Sequence, residues 1–212
     1  MQYHSKLYAL AVLLLVPTCA RAHFLWIVAD PVTKAVHVEV AESPSQDVAP
    51  ILTPFKSVIQ TTGVGPLTDV GHGKAFSARL TAGTVATAIL TYGLHGEDLV
   101  LWFAKATTDL KSAASPAGLR FEILVTVAKD GTLAASAYRT GKLIPGAKFE
   151  AFNNGTSLGV LSTDKSGHAV LPRLKKGILS LGIVAVEAVT GDYKGQHFKD
   201  KMNMATLSLP IR

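Results

Sequence analysis

Beyond residue 22 this chain of 212 residues contains no cysteine; its one thiol, Cys19, falls in the opening segment. The remainder therefore has no disulfide staples and no thiol nucleophile, and a packed core must hold the fold together. No Gly-x-Ser-x-Gly elbow is present, and no glycine-rich loop leads into a helical pattern, so acyl transfer and phosphate cradling lack their sequence supports. The histidines never recur as HxH, HxxxH or HExxH, so any metal site has to be assembled by the fold rather than by local spacing. Long apolar runs are missing too: the longest, residues 7–16, is about ten residues against the roughly 20 that a membrane-spanning helix needs. Charge is sparse, at 17% of residues, and no basic run is interleaved with aromatics, which leaves nucleic-acid binding without support.

What is present begins with an export signal. A short polar segment with Lys6, the apolar run and the small-x-small triplet Ala20-Arg21-Ala22 together form the pattern of a secretory signal peptide over residues 1–22. Cleavage after Ala22 makes His23 the first mature residue and a periplasmic or extracellular location the expectation. A lipoprotein acylated at Cys19 is the competing outcome, and Val16-Pro17-Thr18 is a poor lipobox for it. Of the 21 basic residues, Lys6 and Arg21 lie in the signal, so 19 face 15 acids in the mature chain, a net charge of +4. The mature chain has no transmembrane segment in this reading.

The apolar content is 48%, and the runs are short, β-branched and broken by Gly, Pro, Asn and Asp, the texture of an all-β protein. Residues 24–29 form a continuous apolar run closed by Asp30-Pro31, a strand buried on both faces. Residues 36–40 alternate, with three valines on one face and His37 and Glu39 on the other. A loop with a short helical turn follows over 42–54. Strands are expected at 76–80, 85–92 and 99–106, the last two as a hairpin. The Ser-, Ala- and Thr-rich stretch 107–117 marks a boundary, giving an N-terminal β domain over 23–115 and a C-terminal one over 116–212. The second half shows about seven strands, at 121–127, 133–138, 147–152, 157–162, 168–171, 178–189 and 205–211. Asn153-Asn154-Gly155 and the 164–167 segment supply turns, the pattern of a small sandwich.

The segments His23-Phe24-Leu25-Trp26-Ile27-Val28-Ala29-Asp30, Thr91-Tyr92-Gly93-Leu94 with residues 99–106, and Ala205-Thr206-Leu207 resemble an exported bacterial β-sandwich family of unknown function associated with nickel and cobalt uptake transporters. Separately, Gly141 to Ala147 and Ser162 to Gly167 resemble carboxypeptidase-regulatory or transthyretin-like sandwiches, modules that are usually not catalytic. The resemblance implies two sandwich halves, immunoglobulin-like or transthyretin-like, and a divalent metal held by the first mature histidine. Members often carry a histidine shortly before the final Ala-Thr-Leu, where this chain has Met202-Asn203-Met204; His197 is the substitute.

An amino-terminal histidine chelates through its α-amine and Nδ1, and one more imidazole completes a nitrogen set suited to nickel, cobalt or copper. His72 and His95, each beside glycine in a loop, and His197 are the candidate partners of His23. Met202 and Met204 offer soft sulfurs, although strand alternation explains them equally. Asp109, Asp130, Asp164 and Asp192 sit at turns, where local backbone hydrogen bonds account for them. The first functional expectation is thus an exported, non-catalytic metal-binding protein serving uptake or delivery to a transporter. The second is a cell-surface module binding carbohydrate or protein, and the third a copper monooxygenase-like enzyme.

Overall fold

The computed structural model describes residues 23–44, 52–70, 75–81 and 83–212. The expected signal over 1–22, including Cys19, and the candidate ligand His72 lie outside the described residues. The chain is all-β and sandwich-like. Its first strands are β1 (Phe24–Ala29), β2 (Ala35–Ala41), β3 (Gln60–Thr62), β4 (Thr68–Asp69), β5 (Ala75–Arg79), β6 (Val85–His95) and β7 (Asp98–Thr107), with a 3-10 turn at Thr53–Phe55. The short helix α1 (Leu110–Ala113) leads to β8 (Phe121–Val127), β9 (Leu133–Arg139), β10 (Lys142–Leu143), β11 (Lys148–Asn153) and β12 (Thr156–Ser162). Then come β13 (Ala169–Val170), β14 (Gly177–Glu187), β15 (Gly191–Tyr193), β16 (Gln196–Phe198) and β17 (Asp200–Ile211). Among the described residues no helix is long and apolar enough to cross a membrane.

One sheet of seven strands, ordered β12-β11-β14-β17-β7-β6-β3, forms the middle layer. The boundary expected at 115/116 falls between α1 and β8, and this sheet takes strands from both sides of it. The join is β17, which runs antiparallel to β14 and parallel to β7, with Asp200 opposite Asp98 and Ser208 opposite Ala106. Alternation along the middle strands sends side chains to two separate cores. Val100, Trp102, Ala104 and Met204 join the core shared with the sheet β1-β2-β5-β4, whereas Phe103, Ala205, Leu207 and Leu209 join the core shared with β8, β9, β10 and β13. The result is three layers, each interface closed by apolar residues of period two.

Strand β1 is buried on both faces, as its uninterrupted apolar run requires: Phe24, Leu25, Trp26 and Ile27 are all at most 1% exposed. At roughly 1.5–3 kcal/mol for each large apolar side chain removed from water, these four contribute much of the hold of the first sheet on the middle one. Polar ties add direction. The Trp26 indole donates to Ala41 O at 3.0 Å, and the Thr206 hydroxyl of β17 donates to Leu25 O at 2.8 Å. The Trp26 ring meets Phe152 edge-on at 6.0 Å. Asp30 ends the strand by accepting the N–H groups of Val32 and Thr33 on its carboxylate. On β2, His37 is exposed as alternation suggests, but Glu39 is buried, because the register sets it between Trp26 of β1 and Ala75 of β5.

Turn chemistry matches the local sequence. Asn154 and Gly155 both have positive φ, 54° and 74°, in the two-residue loop joining Asn153 to Thr156, the conformation a type I′ hairpin demands. In the second core, Lys105 is wholly buried; its ammonium donates to Ser115 O at 2.6 Å and stands 3.9 Å from Glu122. Burial pushes this lysine below its ordinary pKa, with Glu122 opposing the shift.

Candidate functional site

His23 is exposed and immediately precedes β1, a strand packed into the core. Phe24, its neighbour, lies with its ring on the backbone of Gly182 in β14, close enough that a Cβ there would meet ring atoms at 3.1 Å. Gly182 in turn pairs with Thr206, the residue that bonds Leu25. The base of His23 is therefore level with the middle of β17.

His95 closes β6 and pairs with Asp98 at the β6–β7 turn; Asp98 is opposite Asp200 at the start of β17. His197 lies on the β15–β16 hairpin, three residues before Asp200, with Nδ1 3.3 Å from Asp192, and both side chains are largely exposed. The Glu97–Lys199 ion pair at 2.6 Å and the Lys199 N–H to Glu97 O bond at 2.8 Å join that hairpin to the β6–β7 turn. His95 and His197 thus share one end of the molecule. Six positions of β17, about 20 Å of strand, separate that end from the level of His23. On either side of the His72 segment, Val70 and Ala75 are joined by a Val70 N to Ala75 O bond of 3.1 Å. Ala75 opens β5 level with Trp26, two strands away and about 10 Å across the sheet, and so lies two residues along from Phe24. Among the described residues, no three His, Cys, Asp or Glu side chains converge as a metal-holding group.

The remaining candidates have structural employment. The His168 ring bonds the Ser136 hydroxyl at 2.8 Å. Met204 is core, its sulfur 2.9 Å from the donating Trp102 indole nitrogen. Asp109 caps α1 by accepting from Ser112 N at 2.8 Å, Asp130 accepts from Thr132 N at 2.9 Å, and Asp164 from His168 N at 3.0 Å. In each case a backbone donor holds the carboxyl below its ordinary pKa, the signature of a turn rather than of acid–base catalysis.

One feature escaped sequence reasoning. An open groove of about 390 Å³ lies at the β3 edge of the middle sheet, between the 3-10 turn at Thr53–Phe55 and the β15–β16 hairpin. Phe55, Tyr92 and Tyr193 line it together with Gln60, Thr91 and Lys194. Its parts come from segments more than a hundred residues apart, and a tyrosine in a strand reads from sequence as ordinary strand composition.

Comparisons with protein-family models, with curated proteins and with solved structures gave no match to this chain.

Proposed function

We propose that this chain, once cleaved after Ala22, is an exported non-catalytic protein that binds a divalent transition metal, nickel, cobalt or copper, through the α-amine and Nδ1 of His23, for uptake or delivery to a transporter. The observation that carries this reading is the mounting of His23: an exposed histidine immediately before a strand whose first four residues are fully buried. Freed at that point, the amine and imidazole form a bidentate chelate whose base is already fixed, so little ordering accompanies binding. The family resemblance supports it from another side, because the segments that carry it, residues 23–30, 91–94, 99–106 and 205–207, fall at or within β1, β6, β7 and β17, which pack together.

Of the loop histidines, His72 is the partner this reading assigns to His23, because the residues flanking its segment stand at the His23 end of the first sheet. His95 and His197, on the far end of β17, belong to a separate locality. Isothermal titration with each metal is the test, on protein beginning at His23 and on protein carrying one extra alanine before it. The blocked form, and the His72→Ala variant of the free form, should each bind more weakly; equal affinity in all three would remove His23 from the site.

A further inference from the structure

We propose that the groove at the β3 edge is a second binding site, independent of His23, and that it takes a short saccharide containing an acidic sugar. Strand β3 begins at Gln60, opposite Ile89, whereas β6 continues to His95. Among the described residues no strand pairs with β6 on that side beyond Ile89, and the space is walled by aromatic rings instead. Tyr92 packs against Phe55, with centroids 5.3 Å apart, and against Trp102 at 4.9 Å, and Trp102 is itself fixed by the sulfur of Met204. That ring is a rigid platform backed by the core. The opposite wall is Tyr193, carried on the β15–β16 hairpin and lying alongside the bulge at Gly93, where φ is +117° and a Cβ would be 3.8 Å from its ring.

A pyranose has an apolar C–H face and a rim of hydroxyls, and so asks for a flat aromatic surface edged with groups that both give and accept hydrogen bonds. Tyr92 and Tyr193 offer the surface; the Gln60 amide and the Thr91 hydroxyl offer the edge. Among the described lining residues the one charged group is the Lys194 ammonium, 5.4 Å from the Tyr193 centroid on an exposed turn, where it meets a carboxylate on the sugar. At about 390 Å³ the space is near the lower bound for small-molecule sites, room for one or two rings. An extended peptide added to the open edge of β6 is the rival occupant; it would draw on backbone pairing and would not need the tyrosine faces or the lysine.

The test is calorimetric titration of the full chain with digalacturonate and with uncharged cellobiose, in chelator so that His23 is silent. Digalacturonate should bind saturably and more tightly than cellobiose, and the difference should shrink with added salt. Tyr193→Ala, on a surface hairpin, should weaken both by about tenfold or more. Lys194→Asn, which keeps a residue tolerant of the observed positive φ of 49°, should erase the preference for the acidic sugar while leaving cellobiose unchanged. Circular dichroism of each variant confirms folding. Absence of saturable binding to either sugar, equal binding by Tyr193→Ala, or capture of extended peptides with neither sugar bound would each overturn the proposal.

Discussion

Gly182 explains itself only through Phe24. It lies inside β14, where glycine is normally about 0.5–1 kcal/mol worse than alanine, and it has no positive φ to require it. Its Cβ position is taken by the Phe24 ring, with Cε1 and Cζ at 3.1 Å and Cε2 at 3.2 Å. Gly182→Ala alone should therefore push that buried ring off its seat and cost about 1–2 kcal/mol, the overpacking penalty less the strand preference. Phe24→Ala alone should cost about 3–5 kcal/mol. Together they should cost less than their sum, since the new methyl enters the space the ring has left; in the Phe24→Ala background Gly182→Ala should be neutral or stabilising by about 0.5–1 kcal/mol. Urea unfolding of the four proteins at constant m-value measures the cycle. The two residues belong to different halves of the chain, so a single transition in every variant is also expected. Additive penalties would refute the claim that β1 seats directly on the C-terminal part of the middle sheet.

Three further expectations follow from buried or turn-bound groups. Lys105 has its pKa lowered by burial, so between that lowered value and the ordinary 10.5 the unfolded chain binds more protons than the folded one, and stability should rise with pH across that window. Lys105→Met should abolish the rise and, by leaving Glu122 buried without its cation, cost about 3–5 kcal/mol, recovered in part by adding Glu122→Gln; denaturation at several alkaline pH values reads both. Thr206→Val leaves Leu25 O buried without its hydroxyl donor and should lower stability by about 1–3 kcal/mol in urea titrations. Asp30, Asp109, Asp130 and Asp164 all have pKa values lowered by backbone donors at turns, so their stabilisation is present above the ordinary value of 3.8 and lost as pH falls through the lowered folded values. Replacing them by alanine should raise the pH midpoint of acid unfolding, and an unchanged midpoint would contradict the assignment.

The legible parts of the sequence were those whose cause is local. The run at 24–29, the Asp30-Pro31 stop, the Asn154-Gly155 turn and the 85–106 hairpin follow from period, propensity and turn chemistry. The parallel join of β17 to β7 carries no local signal, because a strand buried on both faces looks the same whichever neighbour it takes. Strand β17 also begins earlier than its apolar pattern suggests: Asp200 and Lys201 are polar, yet they pair with Asp98 and Leu99 and are only half-buried. Glu39 shows the converse, a residue that alternation assigns to an open face and that neighbouring strands cover. As for the candidate site, the exposure of His23 and the buried strand that follows it agree with the sequence pattern. The separation of His23 from His95 and His197 was not readable there, since it depends on which part of β17 each approaches. The tyrosine groove was hidden for the same reason.

The most direct measurement is the identity of the first residue of the native protein together with its metal content, obtained by intact mass spectrometry and elemental analysis of material purified from the cells or medium that contain it. A chain beginning at His23 and carrying close to one equivalent of nickel, cobalt or copper is the expected result. A chain beginning at an acylated Cys19, or one beginning at His23 that is metal-free and fails to take up these ions on titration, would contradict the role given to His23.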